Sequence, residues 1–214
     1  MPHQYTTSLA ACCSLFCISS VFVKPASAEP VDFRAWLEGP TEVQAGETAT
    51  ITAWVSASGV ELEDSRDDFF SGVALDIAVG GDLNSFVSIS EVIIGDVQAL
   101  IDNGTPDNNI LQDVIVVQFP GLPSTNPANP LRLFTFDIET MPDTNGVLSI
   151  SQFAAFNTSL TAPQYAWHIN GSTVFSDDPG NSLTIDPFSF QVIPAPGVAA
   201  LLTLVGLGAT RRRR

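Results

Sequence analysis

Leu131-Arg-Leu-Phe-Thr-Phe-Asp-Ile-Glu139 decides the fold. Phe134, Phe136 and Ile138 recur at every second position with polar residues between them, the pattern of a strand with one face in the core. The same period continues on both sides. Val31, Phe33, Ala35 and Leu37 alternate with Asp32, Arg34, Trp36 and Glu38, and Val73, Leu75, Ile77 and Val79 share one face. Ala49-Thr-Ile-Thr-Ala-Trp-Val55 is rich in β-formers, and Phe86 to Ile94 and Val147 to Phe153 read as further strands. Ile110 to Phe119 is apolar with few breaks, as in a strand covered on both faces. Tyr165 to Ile169 and Ser172 to Phe175 flank Asn170-Gly171, the residue pair of a tight two-residue hairpin. Leu183 to Val192 is a last strand, interrupted by Pro187.

The stretches between these runs read as connections. Glu61 to Asp68 holds five carboxylates and reads as a solvated surface loop. Asp96 to Ile101 is expected to form a short helical turn, and Asp102 to Asn109 an unpacked loop. Prolines 120, 123, 127 and 130 stiffen an irregular surface loop. About nine strands with turn signals between them, and no long 3.6-residue period, predict an all-β fold: an antiparallel β-sandwich of jelly-roll type.

Both ends carry addresses. Leu9 to Val23 is apolar, and Lys24-Pro-Ala-Ser-Ala28 ends in an Ala26-x-Ala28 site, so residues 1–28 read as a signal peptide for signal peptidase. Cys12, Cys13 and Cys17 all lie inside it, which leaves residues 29–192 without a thiol for a disulfide, a thiolate metal site or a nucleophile. Residues 193–214 form the other address. A Pro194-Ala195-Pro196 break precedes an uncharged run from Val198 to Thr210, and Arg211, Arg212, Arg213 and Arg214 follow it. Thirteen residues make a helix of about 20 Å against a hydrocarbon core of roughly 30 Å, a short transmembrane helix whose arginines stay on the cytoplasmic side.

This tail, residues 194–214, resembles the PEP-CTERM sorting signal of bacterial exported proteins. The resemblance implies processing by an exosortase-type protease, transient anchoring in the inner membrane, and a final place at the cell surface or outside the cell. The body, over about residues 40 to 157, resembles cohesin-like domains, which share a jelly roll with some carbohydrate-binding modules. The residues that carry this are Val43-Gln-Ala-Gly-Glu-Thr-Ala-Thr-Ile51, Gly72-Val-Ala-Leu-Asp-Ile-Ala-Val79, Ser90-Glu-Val-Ile-Ile-Gly-Asp96, Leu131 to Ile138 and Gly146 to Phe156.

Charge and residue types narrow the function. Three basic residues against 23 acidic ones leave the body between the two addresses at −20, which repels nucleic-acid phosphates and excludes nucleic acid as a partner. The body has one histidine, His168, and no lysine, so zinc chemistry and base-assisted nucleophiles lack their parts; the chain is expected not to be an enzyme. No cofactor is expected. Asp102, Asn103, Asp107 and Asn109 offer hard oxygens to Ca²⁺, although their spacing misses the usual loop rule. The primary reading is a structural or adhesion module of the envelope or matrix. The alternative is a carbohydrate-binding module holding extracellular polysaccharide on exposed Trp36, Tyr165 and Trp167, with Trp54 as a further candidate.

Overall fold

Strands form wherever the two-residue period runs. The computed structural model describes residues 30–59, 68–120, 122, 125–155, 160, 162–169 and 171–195. In chain order these hold β1 (Asp32–Glu38), β2 (Glu42–Gln44), β3 (Thr48–Ser58), β4 (Phe69–Gly81), β5 (Phe86–Ile89), β6 (Ile93–Ile94), β7 (Ala99–Asp107), β8 (Ile110–Val117), β9 (Leu131–Thr140), β10 (Gly146–Ala154), β11 (Gln164–Ile169), β12 (Ser172–Phe175), β13 (Ser182–Ile185) and β14 (Phe188–Ile193). One 3₁₀ turn, Leu83–Ser85, follows β4, and there is no α-helix among the described residues.

Two sheets face each other across one core. The first runs β13-β1-β3-β9, with β5 and β6 both along the far edge of β9. The second is built on β4, whose 13 residues pair with β8 on one edge and with β11 and then β10 on the other. Beyond these lie β7 beside β8, β12 beside β11, and β14 and β2 beside β10. Small and large side chains of neighbouring strands interlock: Ala49, Ile51 and Ala53 sit opposite Ile138, Phe136 and Phe134. All six are buried. Each large one contributes about 1.5–3 kcal/mol on leaving water.

The deciding strand carries a device that its alternation hides. Leu131, Leu133, Phe134, Phe136 and Ile138 are all buried, which strict alternation forbids. The register of β9 against β3 shifts between Ala53 and Trp54, so a bulge re-phases the strand and both halves point inward.

Several sequence expectations are corrected. Fourteen strands among the described residues replace about nine, because a long run breaks where it changes neighbour. Phe86 to Ile94 becomes β5 and β6, and Pro187, without an N–H, divides β13 in the first sheet from β14 in the second. The sandwich is not wholly antiparallel: β1 pairs β13 and β14 pairs β2 in parallel. No helical turn occupies residues 96–101; β7 begins at Ala99. Residues 102–107 are strand rather than loop, because β8 supplies a full partner to a polar segment, with Asp107 opposite Ile110. Asp68 is buried rather than solvated, at 3% exposure, while residues 60–67 lie outside the described residues. So do the signal peptide with Ala26 and Ala28, and the tail from Pro196 through Arg211–Arg214. No helix among the described residues is long and apolar enough to cross a membrane.

Candidate functional site

The outer faces of the two sheets can be read from register. On the first sheet, outward positions are Asp32, Arg34, Trp36 and Glu38 on β1; Thr50, Thr52, Trp54 and Ser56 on β3; and Arg132, Thr135, Asp137 and Glu139 on β9. Trp36 and Trp54 are direct cross-strand partners, and their rings stack at 6.2 Å with 9° between planes. Arg34 Cζ lies 5.3 Å from the Trp36 centroid. Arg34 Nε donates to Asp186 Oδ2 (2.7 Å), and Arg132 Nη2 donates to Asp96 Oδ1 (2.7 Å). Trp36 Nε1 donates to Glu38 Oε1 (3.0 Å), Thr50 Oγ1 to Asp137 Oδ1 (2.6 Å) and Ser182 Oγ to Asp32 Oδ1 (2.6 Å). Most polar groups on this face answer one another, but Trp54 Nε1 and Arg132 Nε are buried without a hydrogen-bond partner. Arg34 and Arg132 are the only lysine or arginine side chains among the described residues; Arg132 is the cross-strand partner of Trp54, and Arg34 stands two positions along β1 from Trp36.

The second sheet presents a different surface. The outward positions of its central strand β4 are Gly72, Ala74, Asp76, Ala78 and Gly80. On one side stand Val117 and Ile115 of β8; on the other stand Ala166 of β11 and Phe153, Ser151 and Ser149 of β10. Phe175 of β12 extends the row of Ala166, and Ile101, at a bulge of β7, is 57% exposed. Asp76 is the acid at the centre, 1% exposed, with its Oδ1 accepting from the Asp113 backbone N–H (2.7 Å). Asp113 makes that approach with φ of 60°. The result is a track of small residues flanked by half-buried apolar side chains on β8 and by Phe153, Ser151, Ser149, Ala166 and Gln164 on β10 and β11.

The three aromatic residues expected to stack sugar are not brought together. Tyr165 and Trp167 share a face, but it is the inner one: they are 0% and 1% exposed, and Trp167 meets Phe70 edge to face at 5.9 Å. Alternation alone is symmetric between faces, so only the sheet's place in the sandwich chooses which side is core. The Tyr165 hydroxyl donates to Gln152 Oε1 (2.6 Å), and burial pushes its pKa well above the usual phenol value. Trp36 stays half-exposed on the other sheet, its ring already in contact with Trp54 and Arg34. Sequence reasoning placed Trp36 on the polar side of its strand but missed the pairing with Trp54. The usable signal was that both sit at outward positions of strands that pair.

The Ca²⁺ candidates are also dispersed. Asp102 and Asp107 are five positions apart on an extended strand, about 16 Å at ~3.3 Å per residue. Asp102 Oδ1 accepts from the Gly104 N–H (3.0 Å), Asn103 Nδ2 donates to Glu91 Oε2, Asp107 Oδ1 accepts from Asn108 Nδ2 (2.9 Å), and Asn109 Nδ2 donates to the Val79 carbonyl (2.6 Å). Each is committed to a separate local bond, so they form no common cage. His168 is outward on β11 with its ring against Phe69 at 5.0 Å, rather than solvated on its own. A recess of ≈ 230 Å³ opens where the chain crosses between sheets, lined by Leu37, Ile150, Ser151, Gln152, Ile185, Asp186 and Pro187. Its one ionisable group, Asp186, is held by Arg34. Gln152 Nε2 is buried there without a protein partner.

No family model matches the sequence, and no curated protein is significantly similar to it. Among solved structures the chain is similar to the second type II cohesin module of the ScaA scaffoldin of Acetivibrio cellulolyticus, at 11% identity and a TM-score of 0.42, covering 80% of this chain and 100% of that one. It is similar to a type II cohesin domain from the cellulosome of the same organism, at 10% identity and a TM-score of 0.44, covering 75% and 95%. It is also similar to the CARDB domain of a Pyrococcus furiosus protein, crystallised with di-metal ions, at 10% identity and a TM-score of 0.35, covering 79% and 99%. At these scores the likeness is one of general shape, and no residue role or ligand carries across from it.

Proposed function

We propose that the body is a non-enzymatic adhesion or scaffold module that binds a protein partner through the outer face of the second sheet. The observation that supports this is the chemistry of that face: Gly72, Ala74, Ala78, Ile115, Val117 and Phe153 form a flat, mainly apolar surface on a chain otherwise rich in acid. An uncompensated apolar face of this kind is characteristic of an interaction surface. In this reading the module is exported under residues 1–28, held briefly at the inner membrane by residues 193–214, and processed by an exosortase-type protease for display at the surface or in the matrix.

The test is retention in the producing cell's envelope and matrix fractions. Ala74→Arg puts a long charge on the proposed face, while Thr52→Arg makes the same change on the first sheet. Ala74→Arg is expected to move most of the protein into the soluble medium with Thr52→Arg unchanged. Equal retention of both variants and wild type would remove the face from the proposal.

A further inference from the structure

One end of the sandwich combines exposed apolar side chains with an acidic rim, and the chain leaves the body there. Ten large apolar side chains are exposed among the described residues, and four of them, Leu83, Val87, Met141 and Val147, belong to this end, at 45%, 41%, 41% and 50%. Backbone bonds tie their segments together. The Asp82 N–H donates to the Val147 carbonyl (2.9 Å), and the Met141 N–H donates to the Ser85 carbonyl (3.0 Å). Pro142 packs beside Gly46. Around them stand Asp82, Asp143, Glu42 and Glu47, all four at least partly exposed.

The last strand delivers the tail to the same place. In β14, Gln191 pairs with Val147 and Val192 with Gly146, and the Ile193 carbonyl accepts from the Ala45 N–H (2.8 Å). Pro194 and Ala195 therefore emerge beside Val147 and the β9–β10 turn. The sequence then continues through Gly197, thirteen uncharged residues from Val198 to Thr210, and four arginines.

We propose that, in the uncleaved chain away from a membrane, residues 198–210 lie across the patch of Leu83, Met141 and Val147, with Arg211–Arg214 against the rim of Asp82, Asp143, Glu42 and Glu47. The two surfaces complement each other twice, apolar run to apolar patch and cationic cluster to acidic rim. The acidic rim also separates this occupant from a lipid surface: anionic headgroups are repelled by these carboxylates, and four arginines are attracted. Stowing the run shields it from water and from other copies during transit, and transfer to the membrane or to a processing protease releases it.

Met141 is a built-in reporter, since the only other methionine is Met1. The full chain is exposed to dilute hydrogen peroxide, and Met141 sulfoxide is followed by mass spectrometry in wild type, in the quadruple variant R211E/R212E/R213E/R214E and in Leu204→Asp. The expected result is oxidation several-fold slower in wild type than in either variant. The difference should shrink as salt screens the arginine contacts and stay constant on tenfold dilution. Equal rates in all three chains overturn the proposal. So does protection that disappears on dilution, which assigns the patch to a second copy. So does protection that arises only with phosphatidylethanolamine–phosphatidylglycerol vesicles, which assigns it to lipid.

Discussion

The two sheets turn opposite chemistries outward from a shared core. Outside the first sheet, Arg34, Thr50, Ser182 and Arg132 each find a partner in a neighbouring strand or loop and Trp36 finds one in Glu38 of its own strand, with bonds of 2.6–3.0 Å. Outside the second, β4 contributes Gly, Ala, Asp, Ala and Gly in outward order, and its neighbours contribute Val117, Ile115, Phe153 and Ala166 with Gln164, Ser151 and Ser149. A face whose polar groups mostly satisfy one another needs little else in water, and here Trp54 Nε1 and Arg132 Nε are the buried exceptions. An apolar face lacks that compensation, and burial against a partner supplies it. Asp76, buried at an outward position of β4, sits in the second face and accepts a backbone bond from Asp113.

Four stability measurements probe how deep this difference runs, since the inner side of the second sheet holds Tyr165 and Trp167 while the outer side of the first holds Trp36 and Trp54. Trp167→Ala removes a fully buried ring and should cost roughly 3–5 kcal/mol by chemical denaturation. A loss near that of a surface change would mean that the second sheet is not packed as described.

Tyr165→Phe is next, at about 1–3 kcal/mol, because the buried Gln152 carbonyl loses its donor. Its signature is in pH. The unfolded chain ionises this phenol near pH 10, whereas burial keeps it neutral in the folded chain to higher pH. Stability from this group is complete below about pH 10 and falls as pH rises through it, by about 1.4 kcal/mol per unit. The wild-type curve should bend downward there, and the Tyr165→Phe curve should bend less. Parallel curves would show that Tyr165 does not titrate with unfolding.

Trp36→Ala should cost only about 0.5–1.5 kcal/mol for its stacking on Trp54, beyond a small loss of burial. It should also leave envelope retention unchanged. A cost matching that of Trp167→Ala would erase the distinction between the two aromatic pairs. The smallest effect belongs to Asp186→Asn, which breaks the exposed bridge to Arg34: at most about 1 kcal/mol, diminishing further in high salt.

Much of this was legible in the residues. Alternation in 31–37, 73–79 and 131–138 located strands and inward faces, because a period of two has no other use in a chain without helical pattern. The hairpin at 165–175 followed from Asn170-Gly171, with Ile169 opposite Ser172 as a two-residue loop requires. The polar strand β7 was hidden, since Asp102 to Asp107 has loop composition and becomes strand only because β8 lies beside it. Tyr165 and Trp167 were misread as surface residues for a related reason. Their shared face was correct, but the side on which the first sheet would pack is not written in local order.

The sequence by itself determined the all-β class, the strand phases, the thiol-free acidic body and the composition of both terminal segments, since each depends on neighbours along the chain. Tertiary structure alone decided which face of β11 is core, where a bulge re-phases β9, that Trp36 meets Trp54, and that Leu83, Met141 and Val147 gather where the tail departs. These depend on contacts between residues distant along the chain. Their energies come from burial and pairing between strands, which no local pattern encodes.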